Sequence, residues 1–314
     1  IAIDSSDNVY VTGYSQYTNQ VQFPTTSGAY DESITSQHGG FVSKFSSDLA
    51  SLSASTFLES GNWPDDDYPE DIAIDSSGNV YVTGNTNSDD FPVTSGAHQE
   101  SRTGYTDAFV SKLSSDLTSL SASTYLGGAS GEDSYAIAID SSDNVYVVGE
   151  INEVTTPDLP ATSGAYDESH NGDRDAFVSK FDFTAPTVTI TSSSGDCGDS
   201  TSSTTLSYTA TFSESVSNFV VGDITVTGTA NDGSPAASNF AGSGTTYTFD
   251  VVQGSSEGTV LVSVAAGKAT DASGNDNTVS NTYTLTIDST AAASDTSDTS
   301  TASTGGTCSR QVNH

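Results

Sequence analysis

One phrase occurs three times in this chain: Ile72-Ala-Ile-Asp-Ser-Ser-Gly-Asn-Val-Tyr-Val-Thr-Gly84. A first copy spans residues 1–13, with Asp7 where the phrase above has Gly78. A third spans residues 137–149, with Asp143 at that position and Val148 replacing the Thr. Recurrence at long spacing constrains the fold more than any composition does. Each unit must be one supersecondary module that completes its core by stacking on its neighbours. Within the phrase, Ile-Ala-Ile is a short apolar run. Asp-Ser-Ser-Gly-Asn supplies turn chemistry, and Val-Tyr-Val is β-branched and aromatic. The whole reads as strand, turn, strand.

Three more landmarks recur in order. Phe23-Pro-Thr-Thr-Ser-Gly-Ala-Tyr30 returns at residues 91–98 and 159–166, Phe41-Val-Ser-Lys-Phe45 at 109–113 and 177–181, and Leu52-Ser-Ala-Ser-Thr-Phe-Leu58 at 120–126. These return every 68 residues, whereas the phrase itself returns after 71 and then 65. Loops of varying length around constant strands are expected when connections run over a surface. Each unit thus carries four short strands, here a, b, c and d. No helical periodicity interrupts them, and four antiparallel strands per repeat predict β-propeller blades. A β-solenoid is the alternative, but its coils are usually shorter and lack an excursion like that between Gly13 and Phe41.

Units of this form, IAID-SSGNVYVTG through FPVTSGA and DAFVSKL to LSASTYLGG, resemble the bacterial β-propeller repeats known as SBBP repeats over residues 1–181. The resemblance implies a propeller, commonly in exported or cell-surface bacterial proteins, and transfers no catalytic residue. The third unit has a, b and c but no d. If d of one repeat joins a, b and c of the next, the last blade is complete and the first lacks a strand. Three blades are fewer than the ~4–8 that close a propeller. The expectation is a C-terminal fragment of a longer propeller protein, with closure or edge pairing between chains as the competitor.

Thr184-Ala-Pro-Thr-Val-Thr-Ile190 opens a second region, with strands expected at 206–212, 219–221, 224–226, 247–252, 259–264 and 283–287. Short strands split by Gly, Asn, Asp and Ser clusters predict a β-sandwich. Together with Phe212-Ser-Glu-Ser-Val216, Gly244-Thr-Thr-Tyr-Thr-Phe249 and Ala269-Thr-Asp-Ala-Ser-Gly-Asn275, the stretch resembles bacterial Ig-like domains. Residues 289–314 are rich in Ser, Thr, Ala and Asp, which predicts a flexible tail. The expected organisation is all-β: a partial propeller of about three four-stranded blades (1–183), an Ig-like sandwich (184–288) and the tail.

Charge narrows the partners. With 41 acidic and 7 basic residues the formal net charge is −34. Nucleic acid and anionic membrane surfaces are therefore disfavoured, because phosphate binding needs clustered Lys and Arg. Lys44, Lys112 and Lys180 occupy one repeat position and read as structural. No run approaches the ~20 apolar residues of a membrane helix. A disulfide between Cys197 and Cys308 would suit an extracellular setting, but separate thiols fit the sequence equally.

The candidate chemistry is sparse. Asp4, Asp75 and Asp140 open the a–b turns, with Asn8, Asn79 and Asn144 near their ends. The preferred reading is turn capping, with the Asn taking a left-handed backbone, since the spacing matches no EF-hand loop. Asp182, Asp271 and Asp276 form the candidate calcium set. Hard carboxylates suit Ca²⁺, and some related Ig-like arrays bind it near domain ends. Asp271-Ala-Ser-Gly-Asn-Asp276 also reads as an ordinary hairpin turn. Asp65, Asp66, Asp67, Glu132 and Asp133 fall in the d–a loops and are expected to be solvated. Glu32, Glu100 and Glu168 share a repeat position, which favours structure over catalysis. The His residues lack metal-ligand spacing, and no Gly-x-Ser-x-Gly elbow is present. No catalytic residue is named.

The function expected is noncatalytic: binding, adhesion or spacing by an extracellular or cell-surface bacterial protein. Its partner would be a protein or glycan, or a second copy met through exposed strand edges. The alternatives are part of a secreted polysaccharide hydrolase and a subunit of an extracellular filament.

Overall fold

The computed structural model describes residues 1–16, 23–61, 64–152, 159, 161–170, 172–230, 236–253 and 256–290. Cys308 and all but the first two residues of the expected tail lie outside them. The chain divides into two compact units, Ile1–Phe183 and Thr184–His314.

In the first unit each repeat folds as its own antiparallel sheet. The first sheet contains β1 (Ala2–Ile3), β2 (Val9–Gln16), β3 (His38–Phe45) and β4 (Leu52–Leu58). The second contains β5 (Asp67–Ile74), β6 (Val80–Thr86), β7 (Asp107–Leu113) and β8 (Leu120–Leu126). The third contains β9 (Gly131–Ile139), β10 (Val145–Asn152) and β11 (Arg174–Phe181), in the order β11-β10-β9. Strands a to d of one repeat therefore share a sheet. The expectation that d joins the following repeat is corrected. Among the described residues the sheet without a fourth strand is the last, and the first has all four. Short c–d turns explain this: β3 and β4 pair directly, as do β7 and β8.

A sheet of this kind is one layer thick, so its apolar side chains are buried only where another sheet covers them. Two clusters do this. One joins the first and second sheets through Tyr10, Val42, Leu58, Ile72, Val82 and Leu117. The other joins the second and third through Tyr81, Val110, Leu126, Ile137, Val145 and Val147. Strand a of each following sheet sits against the preceding one. It also runs longer than Ile-Ala-Ile suggests: β5 pairs with β6 from Asp67 onward, through a bulge between Pro69 and Asp71. Asp67 and Glu132, expected in solvated loops, are buried at or near the start of strands.

The second unit is a sandwich. One sheet has β12 (Val188–Ser192), β14 (Thr205–Val216) and β16 (Ala237–Val252). The other has β13 (Ser200–Thr201), β18 (Tyr283–Ile287), β17 (Gly258–Val264) and β15 (Ile224–Thr227). Alternating residues of both sheets fill the core, among them Ile190, Leu206, Phe249, Val262 and Leu285. Residues 219–221, expected to be a strand, instead lead into a 3-10 turn, Val221–Asp223. Phe219 nevertheless contributes its ring to the core, packing edge-on against Phe212 and Tyr247. β13 is too short and polar to be seen as a strand from sequence.

The bulges make glycine obligatory at one repeat position. A Cβ on Gly84 would overlap the Tyr68 carbonyl oxygen and lie 2.6 Å from Pro69 Cα, and one on Gly149 would overlap the Asp133 carbonyl oxygen. At Gly13 the same atom meets only the Phe41 ring, at 3.4 Å. Gly84→Ala and Gly149→Ala are expected to destabilise the unit by ~2–4 kcal/mol, and Gly13→Ala by less than ~1 kcal/mol. Urea unfolding of the three variants measures the difference.

Candidate functional site

The recurring acidic residues are committed to backbone donors. In the a–b turn, Asp75 Oδ1 accepts the N–H groups of Ser77 (2.9 Å) and Asn79 (2.8 Å), and Oδ2 accepts Asn79 Nδ2 at 2.7 Å. Asp4 and Asp140 repeat the pattern. The left-handed residue is the one before the Asn: φ is 63° at Asp7, 86° at Gly78 and 61° at Asp143. This corrects the assignment to Asn, and explains why Gly and Asp alternate at that position. Burial raises the Asp4 carboxyl, but hydrogen bonds from Asn8 and Ser6 and the nearby Lys44 outweigh it and bring Asp4 down to about 2. The three lysines belong to the same device. Lys44, Lys112 and Lys180 lie over the rings of Tyr10, Tyr81 and Tyr146. Lys44 and Lys112 also approach Asp4 and Asp75, at 3.6 and 4.0 Å.

Glu32, Glu100 and Glu168 each accept the N–H of a left-handed glycine, Gly28, Gly96 and Gly164, at 2.7, 2.5 and 2.6 Å. They hold a tight turn closed.

Two further carboxylates do one job from different strands. Glu59, at the end of β4, accepts the N–H groups of Thr35 and Ser36 at 2.7 and 3.0 Å. Sixty-eight residues on, the matching N–H groups are those of Thr103 and Gly104. They are bound by Asp107 of β7 at 3.1 and 2.9 Å. Glycine fills the vacated place each time. A Cβ on Gly39 would press on Glu59, and one on Gly127 on Asp107. Sequence reasoning missed this because no single column repeats. The covarying pairs Gly39/Glu59 and Asp107/Gly127 were the available signal.

The former d–a acids also have structural partners. His38 Nδ1 lies 2.7 Å from Asp66 Oδ1 and 3.2 Å from the Tyr68 hydroxyl. Asp67 accepts Thr86 Oγ1 at 2.6 Å and the Ser60 N–H at 2.7 Å.

For the calcium set, Asp182 follows β11 in the first unit. In the sandwich, Asp271 Oδ1 accepts the N–H groups of Ser273 and Asn275, both at 2.8 Å, and Oδ2 accepts Asn275 Nδ2 at 2.9 Å. This is the a–b turn again, with Gly274 left-handed at φ 89°. Glu214, which the sequence reading did not name, has a carboxylate oxygen within 4.8 Å of one on Asp271. Asp276 is exposed, and its backbone bridges to Thr270.

An open cleft lies at one end of the third sheet, with a volume of about 1040 Å³. Tyr105, Thr106, Gly131, Asp133, Asn152, Asp173 and Arg174 line it. The Tyr105 side chain is exposed. Asn152 Nδ2 donates to Asp133 at 2.6 Å and Arg174 to Glu150 at 2.7 Å, which orients the polar rim. An exposed aromatic face beside fixed donors and acceptors can hold a polyhydroxylated ligand by stacking and hydrogen bonding together.

Residues 61–92 and 123–154 match the β-propeller repeat family SBBP, and residues 182–287 match a bacterial Ig-like domain family. No curated protein matches the chain. The chain thus carries SBBP-type repeats followed by a bacterial Ig-like domain, and the expected all-β class stands. Among the described residues no helix is long and apolar enough to cross a membrane.

Burial raises Asp67 to about 6, its hydrogen bonds from Thr86 and Ser60 opposing that shift. The folded state therefore holds this proton more tightly than the unfolded chain. The associated stability is fully present below pH ~4 and is lost as pH rises through about 6. Asp67→Asn removes the loss. Its stability relative to wild type should improve by ~2–3 kcal/mol between pH 4 and pH 7, read from urea midpoints at both pH values. A constant difference would contradict this assignment.

Proposed function

We propose that this chain is a noncatalytic glycan-binding part of a bacterial surface or secreted protein. The repeat unit would present the recognition face, and the Ig-like unit would act as a spacer. The cleft carries the reading, because it joins an exposed tyrosine to an ordered polar rim. The repeated carboxylates support a noncatalytic role, since each is committed to holding a turn or loop. The bacterial Ig-like match supports an extracellular setting, a context such domains often share. Retention of the chain on bacterial polysaccharides tests the proposal. Tyr105→Ala is expected to weaken binding about tenfold or more, as loss of a central aromatic contact commonly does. Release of shortened sugars would replace this reading with the hydrolase alternative. Binding to proteins alone would also refute it.

Calcium remains a proposal drawn from the acidic pattern. If the ion binds the folded chain, the melting temperature rises in calcium relative to chelator, by mass action. An unchanged melting temperature removes calcium from the account.

A further inference from the structure

Three aromatic rings touch one another at positions that are aromatic in one unit only. Tyr14 of β2, His38 of β3 and Tyr68 of β5 meet where the first and second sheets join. The Tyr14 ring stands edge-on to Tyr68, with centroids 4.8 Å apart, and to His38 at 5.8 Å. His38 and Tyr68 lie 5.6 Å apart. Asn85 and Glu150 occupy the position of Tyr14 in the other repeats, Thr106 and Arg174 that of His38, and Asp133 that of Tyr68. The repeat architecture therefore does not require the rings. They are not a closed core either, since Tyr14 is 56 % exposed. Asp66 holds His38 through Nδ1, and Asn87 holds Asp66 by accepting its N–H at 2.9 Å. The result is an open aromatic surface on a braced polar base.

This cluster is the counterpart of the Tyr105 cleft, one sheet back. Its backbone bridge, His38 to Asp66, is repeated as Thr106 to Gly131, and both of the latter residues line the cleft. Strand β5 packs against both β2 and β9, so it carries Tyr68 to one site and borders the other. Glu70, two residues along β5, senses both: burial and the charge of Asp133 in the cleft raise its carboxyl. Neighbouring sheets lie ~10 Å apart, so the two aromatic sites are farther apart than one sugar ring covers but within reach of a chain. Asn152, which lines the cleft, has a buried Oδ1 to which no described residue donates. A ligand hydroxyl would supply that donor. The two described arginines are committed, Arg102 to Asp89 and Arg174 to Glu150, each at 2.7 Å. Asp66, Glu70, Asp133 and Asp173 leave the surface acidic. An anionic polymer is repelled there.

We infer that Tyr14, His38 and Tyr68 form a second subsite, so that the repeat unit holds an uncharged polysaccharide chain across two neighbouring sheet junctions. This rests on the glycan reading of the cleft and specifies its ligand as a neutral chain of several sugars. One sugar stacks on Tyr105 and another, farther along, on Tyr14. The two contacts reinforce each other because one chain links them.

Calorimetric binding of the whole chain to oligosaccharides of increasing length is the test. The probes run from the disaccharide upward and are cut from neutral glucans, mannans and galactans and from a polyuronate. In a neutral series affinity should rise about tenfold or more from the disaccharide to the longest member. The polyuronate should bind more weakly at every length. Tyr14→Ala should lower the ratio of long-chain to disaccharide affinity about tenfold, whereas Tyr14→Phe, which keeps the ring, should retain it. Tyr105→Ala should weaken binding at every length. Binding that gains nothing with length overturns this inference and leaves the cleft reading standing. A Tyr14→Ala loss that is equal at all lengths does the same, as does a preference for the polyuronate. Absence of binding in every series overturns both.

Discussion

A single-layer sheet has two faces and no interior, and everything in the repeat unit depends on that constraint. Hydrogen bonding within β5 to β8 satisfies the backbone but leaves Val82 and Val110 pointing to opposite sides. The first sheet buries one side and the third buries the other. Stability therefore resides in neighbour pairs, as in other repeat architectures. The middle sheet has both faces covered, and its strand β6 is buried along its full length. The sandwich unit obeys the opposite rule. Its two sheets cover each other, and a single cluster of twenty buried residues among those described forms the core.

That difference accounts for what could be read from sequence. The strands of the repeats were legible because three copies vary independently around a fixed pattern, so the a–b phrase and the Phe-Val-Ser-Lys-Phe strand stand out. Which strands share a sheet was not legible. Period and order are identical whether β4 joins β3 or the following β5, and only the turn geometry decides. In the sandwich there is a single copy, so alternation alone had to serve. It located β14, β17 and β18 but mistook Phe219 for part of a strand, since a buried ring in a 3-10 approach has the same local composition. The N-terminal half of β16, with Gly242 and Gly244, was hidden because glycine is a poor strand signal.

The candidate site was partly legible for the same reason. Recurrence correctly marked Asp75, Lys112 and Glu100 as structural, since a residue that closes a turn in each unit must return in each unit. Placement in the d–a loops misled for Asp67 and Glu132. Their acidity suggested solvent, but pairing along the extended a strands carries them into the interior. Recurrence was blind to the exchange between Glu59 and Asp107. A carboxylate needs only to reach two amide protons, and either of two adjacent strands can supply it if the other yields a glycine. Physical equivalence was conserved there while column identity was not.

The same turn appears in both units, and this separates local from global information. Asp75-Ser-Ser-Gly-Asn79 and Asp271-Ala-Ser-Gly-Asn275 adopt one geometry, including the bond from the opening residue's N–H to the closing Asn carbonyl, 3.0 and 3.1 Å. One lies between paired strands of a repeat sheet, the other in a sandwich loop near Ser217. The five residues thus specify their own conformation through a carboxylate that satisfies two backbone donors and a left-handed fourth position. Such a turn is portable because its requirements are internal. The left-handed backbone at Leu117 is equally local: Leu49 holds it in the matching turn while exposed, and each turn is closed by the leucine N–H donating to the Ser46 or Ser114 carbonyl. What the neighbouring sheet supplies is burial of the Leu117 side chain, so in this chain dependence on a neighbour lies in the sheet faces, whereas the turns are complete in themselves.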